Sequence, residues 1–235
     1  GQTGVISLSN QLNPINSSVA QVIDFKYRAK KNREYPRSLL GVIAHIRQTF
    51  YDSDWYLKAQ EIVQEYPSEN EPVSSNSSLE SLGISRALNK PFVFISTNDN
   101  SSSRAINIVK EFNLSPLILG SGYEYRVLNN FDDVKPFFIM PINFPAKPNV
   151  TKPMSDLQFS TRELKHWDMA PDNLLYLTNS EYDFSITSHG IKKKNDFRKN
   201  LQRIIERGLN KDIVLAALTT QPAEMLGLEK SFGKI

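Results

Sequence analysis

Few side chains in this sequence could do chemistry. There is no cysteine, and the histidines are His45, His166 and His189. Without Cys, disulfides, thiolate metal sites, iron–sulfur clusters and thiol nucleophiles are excluded. His189 follows the apolar run Phe184-Ser185-Ile186-Thr187 and precedes Gly190, where a strand would hand over to a loop. An imidazole there could touch a ligand or move a proton near neutral pH; the plainer reading is a hydrogen-bonded loop histidine. His45 falls inside the apolar pattern of a helix and reads as structural, and His166-Trp167-Asp168 reads as a packed corner. Polar residues follow the other short apolar runs in the same way: Asn98 and Asp99, Ser121, Asn143, and Ser188 beside His189. These form the candidate ligand-binding set, with His189 the one candidate catalytic residue.

Gly120-Ser121-Gly122 could offer backbone N–H groups to an anion, though a tight turn explains it as well. No dinucleotide or P-loop fingerprint, no G-x-S-x-G elbow and no H-E-x-x-H occurs. Phe50, Tyr51, Trp55 and Tyr56 form an aromatic cluster that could line a groove; packing of a helix against a core is the simpler reading.

The elements that must carry these residues alternate. Gly4–Leu8 is apolar enough for a strand, Asn10–Ser18 carries turn chemistry, and Val19–Tyr27 fits a strand or short helix. Ser38–Tyr51 has a helical stripe that continues through Val63 and stops at Tyr66-Pro67, and Leu79–Leu88 fits another helix. From Pro91 onward, apolar runs of about four residues alternate with helical segments, the pattern of βα units with right-handed crossovers. The strands are Phe92–Ile95, Leu117–Leu119, Phe137–Met140 and Phe184–Thr187. Helices are expected over Arg104–Phe112, capped by Ser102 or Ser103, over Tyr123–Asn129, and from Ser160 with Glu163 completing a capping box. Further helices cover Pro171–Asn179, Asp196–Gly208, Lys211–Leu218 behind Asn210, and Gln221–Leu226 behind Thr220. A doubly wound sheet and a (β/α)8 barrel fit this rhythm equally.

The bulk numbers fit one sizeable core: 235 residues, 40% hydrophobic, 28 basic against 25 acidic residues. That near-balance argues against a nucleic-acid partner, and Lys192–Lys194 with Arg198, Lys199 and Arg203 reads as the solvated face of one helix. No stretch approaches the ~18 apolar residues of a membrane helix. Gly1-Gln2-Thr3-Gly4-Val5 has neither Met nor a charged leader, and Ser231–Ile235 stops on what reads as the first residues of a strand. Both ends are therefore expected to be cuts in a longer chain.

The stretch Ile213-Val214-Leu215-Ala216-Ala217-Leu218-Thr219-Thr220-Gln221-Pro222-Ala223-Glu224-Met225-Leu226-Gly227-Leu228 resembles the closing segment of the metal-dependent amidohydrolase superfamily, near imidazolonepropionase. In that family an A-L-T-x-x-P-A-x-x-L-G run follows the last barrel strand. Leu40–Tyr56 resembles a subset of bacterial, often secreted, members of the Bacteroidetes type, which implies a secreted or periplasmic setting. The resemblance implies a TIM-like (β/α)8 barrel, incomplete in this chain, with its site at the C-terminal strand ends. It divides the chain into 1–90 (an early strand and a helical insertion), 91–228 (βα units) and 229–235 (the start of a return to a small β domain). It also implies hydrolysis of a non-peptide C–N bond by metal-activated water, a small-molecule substrate, and missing strands supplied by another segment or chain.

The family's metal ligands are an H-x-H pair on the first strand, histidines after the fifth and sixth strands and an Asp after the eighth; some members add a carboxylated Lys or a Glu at the fourth. The corresponding positions here are Gly120-Ser121-Gly122, Pro141-Ile142-Asn143 and Thr187-Ser188-His189-Gly190, with Asn98 and Asp99 after the fourth strand. Zinc needs three or four strong donors, so the expectation is a degenerate site: no metal in this segment, zinc only in a full-length protein. The rival expectation is a ligand-binding or structural barrel module supporting an active one.

Overall fold

The computed structural model describes residues 1–6, 14–27, 35–149 and 158–234. The chain is a mixed α/β protein with strands β1 (Gln2–Ile6), β2 (Pro14–Asp24), β3 (Pro91–Ile95), β4 (Ser115–Leu119), β5 (Phe137–Pro141) and β6 (Phe184–Thr187). Its helices are α1 (Leu39–Glu65), α2 (Ser77–Ala87), α3 (Asp99–Phe112), α4 (Thr161–Met169), α5 (Asn173–Asn179), α6 (Lys194–Glu206), α7 (Lys211–Leu218) and α8 (Thr220–Met225). It divides into two compact units, Gly1–Ile95 with Asn107–Pro116, and Ser96–Ile106 with Leu117–Ile235.

In the first unit β1 pairs antiparallel with β2, and β2 pairs parallel with β3. Turn chemistry was expected up to Ser18, yet Pro14–Ser18 belong to β2. Pro14 opens the strand, where no ladder donor is required of it, and Val5 pairs with Asn16 across an irregular register. α1 starts where the Ser38 hydroxyl accepts from the Gly41 N–H. It buries Val42, Phe50, Ser53 and Tyr56. Phe50 stacks on Phe112 at 4.6 Å and tilts against Phe92 at 5.7 Å. The aromatic cluster read from the sequence is therefore split, because neighbours on a helix point about 100° apart: Phe50 and Tyr56 turn inward, whereas Tyr51 and Trp55 are exposed.

In the second unit β4, β5 and β6 are parallel neighbours, with Leu117 level with Phe137 and Phe138 level with Phe184. The core gathers Ile118, Phe138, Met140, Leu177, Phe184 and Ile204, all at most 1% exposed. At about 0.8 kcal/mol per buried CH2 group, this cluster is the main stabilising element of the unit. Several helical segments differ from expectation, α2 and α6 by two residues at their starts. α3 begins earlier, because Asn98 Oδ1 accepts from the Ser101 N–H at 2.9 Å and displaces Ser102 and Ser103 as cap. α8 takes in Thr220, whose hydroxyl bonds back to Ala216 O at 3.4 Å. Residues 123–129 form two 3-10 turns, Glu124–Arg126 and Leu128–Asn130, in place of a short α-helix. The Ser160–Glu163 capping box and the Asn210 cap form as read. Among the described residues no helix is long and apolar enough to cross a membrane.

Candidate functional site

The parallel strands of the second unit end on three loops, and each is built differently. After β4, Gly120 brings the chain close to Met140: a Cβ there would lie 2.5 Å from Met140 Sδ and 3.2 Å from Glu124 Cδ. Gly122 takes φ +87, a conformation costly for any side chain. The chain then tightens into the first 3-10 turn, which drives Glu124 inward to complete burial. Its Oε1 accepts from the Ser121 N–H at 2.7 Å and the Ser121 hydroxyl at 3.0 Å; its Oε2 accepts from the Gly122 N–H at 2.9 Å and Asn173 Nδ2 at 3.0 Å. The backbone donors that a Gly-Ser-Gly turn could present to an outside anion are thus taken by the chain's own carboxylate. Asn173 Oδ1 in turn accepts from the Tyr125 N–H at 2.8 Å, tying the turn to α5.

Beside this loop lies His166, nearly buried at 9% exposure. Tyr123 stacks on its ring with centroids 3.6 Å apart, and the Tyr125 hydroxyl stands 3.4 Å from Nδ1. Arg126 lies over both tyrosines, 5.2 Å and 5.7 Å from the ring centres, and Arg162 belongs to the same helix as His166. Burial, and secondarily the charges of Arg126 and Arg162, lower the His166 pKa to about 4. The ring is a neutral hydrogen-bonding group at neutral pH. Asp99 gathers the two cations, 3.6 Å from Arg126 and 3.4 Å from Arg162.

After β5, Asn143 meets the third loop: a Cβ on Gly190, which has φ +78, would collide with the Asn143 amide. After β6, the His189 N–H donates to Thr187 Oγ1 at 3.2 Å, Ser188 O accepts from the Ile191 N–H at 3.1 Å, and both side chains are exposed. Ser121, Asn143, His166 and Asn173 together line a small crevice of 20 Å³, about the room one water needs.

The six candidate residues therefore fall into three groups. Asn98 caps α3 and Asp99 binds the two arginines. Ser121 and Asn143 share the crevice. Ser188 and His189 sit on the loop that touches Asn143 through Gly190. Sequence reading missed Glu124, Tyr123, Tyr125 and Asn173, and gave His166 only as a packed corner. The available signal was an acidic residue two positions beyond a glycine turn. His45 lies in the first unit, edge-on to Tyr35 at 5.9 Å, on the wall of a 650 Å³ groove. Among the described residues no three of His, Cys, Asp and Glu cluster as metal ligands.

No family model matches the sequence, and no curated protein does. Among solved structures, the amidohydrolase from Thermotoga maritima MSB8 matches over 100% of this chain, with a TM-score of 0.76 at 19% identity. The chain shares its fold with that amidohydrolase. It spans 59% of that protein's length. A prolidase complexed with N-methylphosphonate-L-proline gives a TM-score of 0.49 at 14% identity, over 92% of this chain and 58% of that one. A Xaa-Pro dipeptidase with bound methionine in its active site gives 0.41 at 8% identity, over 92% and 76%.

Proposed function

We propose that this chain is part of an amidohydrolase-type (β/α)8 barrel from a protein that hydrolyses non-peptide C–N bonds, and that its own strand ends bind a small molecule without coordinating a catalytic metal. A fold match to an amidohydrolase over the whole of this chain and 59% of that protein supports the first half. The second half rests on what occupies the strand ends. Ser121 and Asn143 are neutral, Glu124 has its four acceptor positions filled by donors of the chain, and His189 stands alone on an exposed loop. Such a donor set does not fit zinc, which takes three or four strong ligands. Neutral side chains at strand ends fix a ligand's orientation by hydrogen bonding, and the crevice that Ser121 and Asn143 line has room for a single water-sized group of it. On this reading residues 91–228 supply the βα units, residues 1–90 an early strand with a helical insertion, and residues 229–235 the start of a small β domain. The remaining strands come from another segment or chain.

A second reading is a ligand-binding or structural module that supports a separate active module. It is favoured by Glu124, which closes the β4 loop with a carboxylate that a hydrolase would keep open to substrate or metal. Zinc analysis and C–N hydrolysis assays, on this chain and on the longest natural polypeptide that contains it, test both readings. Zinc in stoichiometric amount that is lost on His189→Ala overturns the metal-free site. Zinc and activity in the longer polypeptide that survive His189→Ala place the chemistry outside these residues, as the first reading expects. No hydrolysis in the longer polypeptide leaves the supporting module as the function.

A further inference from the structure

The polar residues that line the crevice beside the β4 loop are Ser121, Asn143, His166 and Asn173. Two of them are spent on the fold. The Ser121 hydroxyl donates to Glu124, and the Asn173 amide is engaged at both ends, with Glu124 and with the Tyr125 N–H. His166, 9% exposed, makes one hydrogen bond among the described residues, at Nδ1. Its Nε2 has no partner there. That atom is not sealed off either: among the described residues, the fully buried side-chain polar atom without a partner is Gln221 Oε1. The Asn143 amide likewise has no partner among the described residues, and Asn143 is exposed, so the crevice is reached from solvent.

The hydrogen bonds around His166 decide where its proton lies. Arg126 Nε donates to the Tyr125 hydroxyl oxygen at 3.3 Å. A guanidinium has donors only, so that oxygen accepts from it. The Tyr125 O–H has one acceptor among the described residues, His166 Nδ1 at 3.4 Å. Nδ1 therefore accepts, and the neutral ring carries its proton on Nε2. Tyr123, stacked 3.6 Å away, holds the ring plane. An Nε2–H donor suits an oxygen of a ligand and gives an ammonium group nothing to bind. The sign of the surroundings narrows the choice. The charges that act on the ring are those of Arg126 and Arg162, and Arg162 sits one helical turn before His166. Asp99 offsets one of the two, and Glu124 has its oxygens turned to four donors of the chain. We propose that His166 Nε2–H and the Asn143 amide bind one carboxylate oxygen of an anionic small molecule in this crevice. Its 20 Å³ admits that single oxygen, with the rest of the ligand outside. The proposal rests on the reading of the strand ends as a ligand site, and it names the class of ligand and the residue that meets it.

Nitrogen-15 NMR of the imidazole rings at pH 7 tests the proposal on this chain, with acetate as the probe. The chain has three histidines, so the His166 signals are assigned by their loss in His166→Phe. The expected spectrum shows Nε2 protonated and Nδ1 bare. Tyr125→Phe, which removes only the hydroxyl, should mix the two tautomers, a change that a merely packed ring would not show. Acetate should move the His166 Nε2 and Asn143 side-chain amide signals saturably, beyond the effect of chloride at equal ionic strength, and methylammonium should not. Read at the Asn143 amide, His166→Phe should weaken acetate binding about tenfold or more, and Arg162→Gln about threefold. A bare Nε2 overturns the proposal, as does acetate binding that His166→Phe leaves intact. Acetamide bound more tightly than acetate overturns the carboxylate and leaves the strand-end ligand reading standing. If neither probe moves either signal more than chloride does, the proposal falls and takes that reading of the crevice with it.

Discussion

The loops after β4 and β6 are nearly the same object in the sequence: a short apolar strand, a serine and a glycine, with polar residues to follow. In the folded chain they are opposites. The β4 loop is closed on a buried carboxylate that satisfies two backbone N–H groups, a hydroxyl and an amide. The β6 loop leaves Ser188 and His189 in solvent. The two histidines repeat the contrast: His189, placed where a ligand is expected, is exposed, and His166, on a helix, is stacked between aromatic rings and held neutral. What separates the loops is whether the next residues supply an internal partner. Glu124 lies within reach of its own turn, and nothing equivalent follows Gly190, where the chain runs into Ile191 and three lysines.

That contrast can be broken at either end. The largest effect is expected from Glu124→Ala, which leaves the Ser121 and Gly122 N–H groups and the Asn173 amide without their acceptor; urea denaturation should show a loss of roughly 3–5 kcal/mol. A loss below about 1 kcal/mol would mean that water replaces the carboxylate and that the loop is open after all. Next is the pH dependence of His166. The folded chain holds this ring near 4, against 6.5 ordinarily, so the unfolded state takes up the proton first. The stability contributed by the neutral ring is complete above about pH 6.5 and is lost as pH falls from there to about 4, by roughly 1–3 kcal/mol. His166→Phe, which keeps a stacking ring, should flatten that part of the pH–stability curve, whereas an unaltered curve would assign the acid loss to other groups. Gly190→Ala should cost about 1–2 kcal/mol in the same measurement, through positive φ and the Asn143 collision. Pairing it with Asn143→Ala should recover the collision part alone. The smallest effect belongs to His189→Ala, expected within about 0.5 kcal/mol of the parent; a larger loss would show that the β6 loop has internal partners and resembles the β4 loop.

Much of the framework was legible before any coordinates. Strands β3 to β6 are short apolar runs between turn residues, and burial of both faces of a parallel sheet demands that composition. The Ser160–Glu163 box and the Asn210 cap are local interactions within one turn, so sequence spacing suffices to find them. The C-terminal run around Ala217 and Pro222 pointed to an amidohydrolase-type fold, and the match to the Thermotoga maritima amidohydrolase supports the fold at 19% identity. The candidate site was legible only as a set of strand ends. Asn143 and Gly190 are far apart in the chain, as are Tyr125 and His166, and no periodicity within one segment encodes a contact between two.

The sequence by itself determined where the elements lie, which of them carry the apolar faces, and that cysteine chemistry is absent, because these follow from local propensity, spacing and composition. Only the tertiary structure decided which polar groups are spent on the fold and which are left facing solvent. Glu124 is spent because the turn after Gly122 aims its carboxylate at two backbone N–H groups and Asn173 closes over it. His189 is left exposed, its backbone N–H held by Thr187 Oγ1, and partnership depends on distances that the linear order does not hold.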